Sequence, residues 1–175
     1  MSKNNSQLNV FKYGYWSWRC PFKNIQQFFR NIKYAWQRAT KGYCDFDLWN
    51  LDGFYGQLFI DSLRELADTT HGYPAEITDE EWNKILHEMA DAFEIAMQDD
   101  DPIEGEAFYK LYKQFETIKK HEDGSISHQL PEDNPELNKA REEYLNSLIA
   151  AQKYRDSMKD KGFDMMKKWF RHLWD

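Results

Sequence analysis

The chain has 175 residues, of which 41% are apolar and 17% aromatic, with seven Trp and a formal net charge of −7. That length suits one domain with its own core, and so many large apolar side chains exclude an intrinsically disordered chain. No run of about 18 apolar residues occurs, which excludes a membrane-spanning helix.

The start, MSKNNSQLNV, lacks the apolar stretch of a secretory signal. Cys20 and Cys44 form no CxxC pair. Two reduced thiols in a cytoplasmic protein are therefore expected. Charge is unevenly spread. From Met1 to Cys44 there are eight Lys or Arg and no Asp or Glu, whereas Glu76 to Glu106 holds twelve acidic residues against one lysine. Such asymmetry suits two different partners, or plain solvation of helix faces.

Residues 1–20 read as an extended or partly frayed arm, rich in rings from Phe11 to Trp18. Pro21 opens a first helix. Its apolar residues recur at Phe22, Ile25, Phe28, Phe29, Ile32, Trp36 and Ala39, and Gly42 stops it. The opposite face carries Lys23, Arg30, Lys33, Arg38 and Lys41. The rings are expected to build the core.

A second helix starts near Asp45 or Asp47 and ends before His71-Gly72-Tyr73-Pro74. Asp52 falls among Leu48, Leu51, Tyr55 and Phe59 and is expected to be partly buried, with Arg38 or Lys41 as partner. Thr78 and Glu81 form a capping box for a third helix with Trp82, Ile85, Leu86, Met89, Phe93 and Met97 inward, broken at Asp99-Asp100-Asp101-Pro102. A fourth helix from Phe108 through Ile118 runs to Gly124. Ser125 to Gln129 is a weak strand candidate. Asn134-Pro135 starts a long fifth helix, stopped by Gly162, and a last helix carries Met166, Trp169, Phe170 and Leu173. The expected fold is all-α: a single helical domain over residues 1–175, with five or six amphipathic helices in a bundle or orthogonal array and an aromatic-rich N-terminal arm.

Chemistry-bearing motifs are sparse. There is no GxSxG, P-loop or GxGxxG, the five His are scattered, and Cys44 reads as a small buried side chain. No catalytic residue is assigned and no cofactor is expected. One alternative uses carboxylates: Glu65-x-x-Asp68 and Glu88-x-x-Asp91 approximate the paired acidic turns that hold Mg²⁺ against nucleotide phosphates. That pattern resembles the all-α nucleoside triphosphate pyrophosphatases, though their first ExxE motif is absent. A second alternative is nucleic-acid binding through Lys23, Arg30, Lys33, Arg38 and Lys41, with nearby rings for stacking. The acidic residues Asp79, Glu80, Glu88, Asp91, Asp99, Asp100 and Asp101 are the candidate partner-binding face, able to imitate a phosphate backbone.

Three tracts carry a family resemblance: Ile32-Lys33-Tyr34-Ala35-Trp36-Gln37-Arg38-Ala39, then Gly42-Tyr43-Cys44-Asp45-Phe46-Asp47-Leu48-Trp49-Asn50-Leu51-Asp52, and His71-Gly72-Tyr73-Pro74. They resemble a bacteriophage and prophage protein family with the pattern GY-S-D-R-D-x-W-x-LD followed by HG-aromatic-P, over residues 29–98. The chain departs from it at Cys44 and Phe46. The resemblance implies a phage-type accessory protein and no particular activity. In that joint Asp47 is expected to cap, Trp49 to pack and Asp52 to tie the first helix to the second. The expected function is non-enzymatic: binding a host or phage protein complex in the host cytoplasm, as an inhibitor of a host defence or nucleic-acid-handling machine. No membrane partner is expected, Mg²⁺ enters only under the hydrolase alternative, and the sequence does not set the oligomeric state.

Overall fold

The computed structural model describes residues 8–12, 14, 19, 21–121, 123–129, 131 and 134–174. The fold is all-α. Among the described residues there are five α-helices, α1 (Pro21–Lys41), α2 (Leu51–Thr69), α3 (Asp79–Ala96), α4 (Ile103–Phe115) and α5 (Pro135–Trp169), and one hairpin, β1 (Thr117–Lys120) with β2 (Ile126–Gln129). Short 3-10 turns cover Val10–Lys12, Asp47–Asn50 and Phe170–His172. Most of the aromatic arm, including Tyr13, Tyr15, Trp16 and Trp18, lies outside the described residues.

The expected single domain divides into two compact units: Met1–Met97 with Lys159–Asp175, and Gln98–Met158. The first is centred on α2 and α3. Ile60, Leu63 and Ala67 of α2 close on Trp82, Leu86, Met89, Ala90 and Phe93 of α3, and Met165, Met166, Trp169 and Leu173 cover that cluster. Trp82 is fully buried and meets the Trp169 ring edge-on, with centroids 5.5 Å apart. The α3 start is as expected. The Thr78 hydroxyl accepts the Glu81 N–H at 3.2 Å, and the Glu81 carboxylate accepts the Thr78 N–H at 3.0 Å, so two helix-end donors are satisfied reciprocally.

The second unit has its own ring core. Tyr144 is buried, stacks on Phe108 at 5.5 Å and stands edge-on to Tyr109 at 5.8 Å. Gly105 lets α4 approach that ring, since a Cβ there would sit 3.0 Å from Tyr144 Cε2. Asn134 caps α5 by accepting the Leu137 N–H at 3.1 Å, with Pro135 in the first helical position.

Two expected boundaries are corrected. The fourth helix stops at Phe115 rather than running to Gly124. Thr117 and Ile118 enter a strand, paired Thr117↔Gln129 through Lys120↔Ile126, and Gly124 turns the hairpin at φ +82°. The fifth helix does not stop at Gly162, and the segment expected as a separate last helix continues α5 to Trp169. Gly162 is buried mid-helix, where a Cβ would stand 3.1 Å from the Phe93 ring. It is there for close packing rather than termination.

Candidate docking surface

α1 ends as expected: Gly42 adopts φ +83° and its N–H bonds Arg38 C=O at 2.9 Å. What it buries is the reverse of what its periodicity predicts. The buried residues of α1 are Gln27 and Asn31. The stripe of Phe22, Ile25, Phe28, Phe29, Ile32 and Trp36 is exposed, from 43% at Ile32 to 82% at Phe22. The expectation that these rings build the core is therefore corrected.

The inversion has a physical cause in what lies opposite each face. Gln27 Nε2 donates to Asn31 Oδ1 at 2.7 Å. The backbone at Gly14 comes so close that a Cβ there would collide with the Gln27 side chain. Two turns beyond Asn31, Arg38 donates to the backbone carbonyl of Leu8 and, with two nitrogens, to both carboxylate oxygens of Asp47, its Nε lying 2.8 Å from Oδ2. The N-terminal segment and the 42–47 turn thus offer backbone and carboxylate groups, and a polar stripe is what satisfies them. The apolar stripe faces away.

The joint after α1 is tied by two acidic residues. Asp47 is buried and also accepts the Cys44 N–H at 2.7 Å. Burial pushes its pKa up, but the Arg38 and Cys44 hydrogen bonds outweigh this and hold it below the usual carboxylate range. The Arg38 guanidinium also sits 4.9 Å over the Phe54 ring. Asp45 bonds Lys33 Nζ at 2.8 Å and Gln37 Nε2 at 2.8 Å. Cys44 is buried beside Val10, and burial pushes its thiol pKa up, so it stays protonated. The expected roles are corrected here: Asp47, not Asp52, ties the joint. Asp52 is exposed, and Trp49, expected to pack, is 89% exposed.

A second exposed apolar ridge follows. Leu51, Tyr55 and Leu58, at helical spacing on α2, continue the exposed Leu48 and Trp49. Beside it lies a cleft of about 630 Å³, walled by Leu51, Tyr55, Phe59, Phe93, Met97 and Phe163, with Asp52 and Lys159 also lining it.

Of the five basic candidates, Lys23, Arg30 and Lys41 are exposed on α1, Lys33 is bridged to Asp45, and Arg38 is committed to Asp47. Of the acidic candidates, Asp79, Glu80, Glu88 and Asp91 lie on α3. Asp99, Asp100 and Asp101 belong to the second unit, where Tyr144 Oη donates to Asp101 and Arg155 donates to the Asp100 carbonyl. The carboxylates of the hydrolase alternative are engaged separately. Glu88 takes Lys161 Nζ at 2.5 Å, Asp91 takes Arg64 at 2.8 Å, Asp68 stands 3.9 Å from His87, and Glu65 is exposed. Among the described residues, no three His, Cys, Asp or Glu side chains are grouped to hold a metal ion. No helix is long and apolar enough to cross a membrane, the described residues being those searched. No protein-family model, curated protein or solved structure matches the chain.

Gln27 and Asn31 were not singled out by sequence reasoning. Their signal was present: Asn24, Gln27, Asn31 and Arg38 recur at helical spacing and form a second stripe, amide-rich rather than ionic.

Proposed function

We propose that this is a non-enzymatic accessory protein of phage type that acts by docking on a macromolecular partner in the host cytoplasm, with α1 as its docking element. One observation carries the reading. A helix held to its own chain by a polar face leaves six large apolar side chains outward. Contiguous exposed apolar surface of that size is uncommon on a protein that works alone. Inhibition of a host defence or nucleic-acid-handling complex is the use proposed for it, and rests on the resemblance to phage proteins.

The test is affinity capture from phage-infected cells with wild-type protein and with Phe29→Glu/Trp36→Glu. Capture of a host or phage component by the wild type and its loss in the variant are expected. An unchanged set of captured proteins, or an empty one, would sink the reading. Exposed Lys23, Arg30 and Lys41, on the other side of α1 from those rings, favour nucleic acid as a second reading. It requires salt-sensitive binding of DNA or RNA that weakens on Lys23→Glu/Arg30→Glu.

A further inference from the structure

We propose that the cleft between α2, α3 and α5 is a binding site for a small aromatic zwitterion of about the size of a dipeptide. The site is separate from the α1 stripe and does not depend on the reading of α1 as a docking element. All of its lining residues belong to the first unit. Three observations carry it.

The first is the cavity itself. Its volume of about 630 Å³ falls within the range of roughly 300–1,000 Å³ for sites that enclose small organic ligands. Small residues leave it open. Gly56 lets Met97 lie against the α2 backbone, where a Cβ would stand 2.6 Å from the Met97 Sδ, and Ala96 adds only a methyl group to the lining. The second is a row of rings. Tyr55 of α2 stacks on Phe59 with centroids 6.2 Å apart, Phe59 meets Phe93 at 5.3 Å, and Phe93 meets Phe163 of α5 edge-on at 5.3 Å. Phe93 is buried, but Tyr55 and Phe163 are about half exposed, so both ends of the row offer ring surface to one cavity. An aromatic guest gains stacking or edge contacts there beyond its burial. The third is charge. Two charged residues line the cleft, and they are of opposite sign. Asp52 lies one turn before Tyr55 on α2, and Lys159 one turn before Phe163 on α5, so each end of the ring row carries one sign. Lys159 also stands 3.8 Å from Asp160, a loose contact for an ammonium with three donors to share. A guest of a single sign would gain one of the two groups and be opposed by the other. A guest with both an ammonium and a carboxylate gains both: the ammonium at Asp52 beside the Tyr55 ring, the carboxylate at Lys159.

The test is equilibrium dialysis of purified full-length protein against the dipeptide phenylalanyl-leucine and its two singly charged forms, N-acetylated and C-amidated. The free dipeptide is expected to bind about tenfold more tightly than either, the scale of one charged hydrogen bond at an exposed rim. Asp52→Asn should lower its affinity to that of the acetylated form, and Lys159→Met to that of the amide. Both positions are exposed, so unchanged far-UV circular dichroism is expected and separates lost binding from lost fold. Phe163→Ala should weaken all three forms, and Trp36→Glu on the α1 stripe should weaken none. No retained peptide at millimolar concentration overturns the proposal. Equal affinity for the three forms overturns the zwitterion, as does tight binding that survives both charge variants. Binding lost in Trp36→Glu overturns the cleft in favour of the α1 stripe. Failure of the titration leaves the docking role of α1 standing, because capture through α1 reads a different face.

Discussion

Arg38 and Asp47 are the charged pair with a buried carboxylate among the contacts that fasten α1 to the turn before α2. Removing one partner of such a pair strands the other without compensation, at a cost of about 3–5 kcal/mol. Asp47→Asn should therefore lower stability by about that much in urea unfolding. Asp45→Asn, at an exposed bridge, should cost less than about 1 kcal/mol. Equal losses would contradict this assignment. The pH dependence follows from the same group. The folded pKa of Asp47 lies below the usual value, so its contribution is complete above the unfolded carboxylate pKa near ~3.9. It is lost as pH falls through the lower folded value. Wild-type protein should loosen in acid at this joint, and Asp47→Asn should lack that component. The sequence showed that an acidic residue belonged here and pointed to Asp52. A 3-10 turn intervenes at Asp47–Asn50. With three residues per turn it shifts the wheel before α2 begins, so a pattern projected through it as α-helix places the inward carboxylate wrongly.

At the scale of the element, α1 and α3 have equally clear apolar periods and opposite fates. Periodicity tells which face of a helix is apolar, but not what the tertiary structure sets against it. Leu86→Ala on α3 should cost about 2–5 kcal/mol, the range for a large core side chain. Ile32→Ala on α1 should stay within about 0.5 kcal/mol. Urea midpoints of the two variants decide it, and a comparable loss for Ile32 would mean that α1 is covered. Helix ends were legible wherever one residue's own chemistry makes them. Thr78 with Glu81, Asn134 before Pro135 and Gly42 at φ +83° all fall where local hydrogen bonding demands. Thr78→Ala should cost about 1 kcal/mol. Gly162 was misread because its reason lies across space, in the Phe93 ring. The hairpin was faint because its strands are short and largely exposed and lack the alternation that marks a half-buried strand.

At the scale of the whole molecule, the two units carry different probes. All seven Trp fall in the first unit's segments, while Phe108, Tyr109 and Tyr144 make the ring cluster of the second. Their separate cores were not legible as a domain division, because α5 runs without a break through residues 158 and 159, where the division falls. Helical continuity is a local property, whereas a unit is defined by what its side chains pack on. Tyr144 supplies the discriminating titration. Its hydrogen bond with Tyr109 first, then burial and the Asp101 charge, push its pKa up to about 12 from 10.0. A raised folded pKa means that the neutral phenol is favoured by folding. Its contribution is therefore full below pH 10 and is lost as pH rises toward 12. Alkaline titration should then release a late tyrosinate absorbance and loosen the second unit, seen as helix loss by circular dichroism. The Trp emission maximum, which reports the first unit, should not move over the same range. Tyr144→Phe keeps the ring stack on Phe108 and removes the ionisable group, so its helix content should hold steady where the wild type declines. Wild type and variant losing helix together between pH 10 and 12 would show that Tyr144 does not govern the unit's alkaline limit. A Trp emission shift in step with the circular dichroism would show that the two units do not unfold separately.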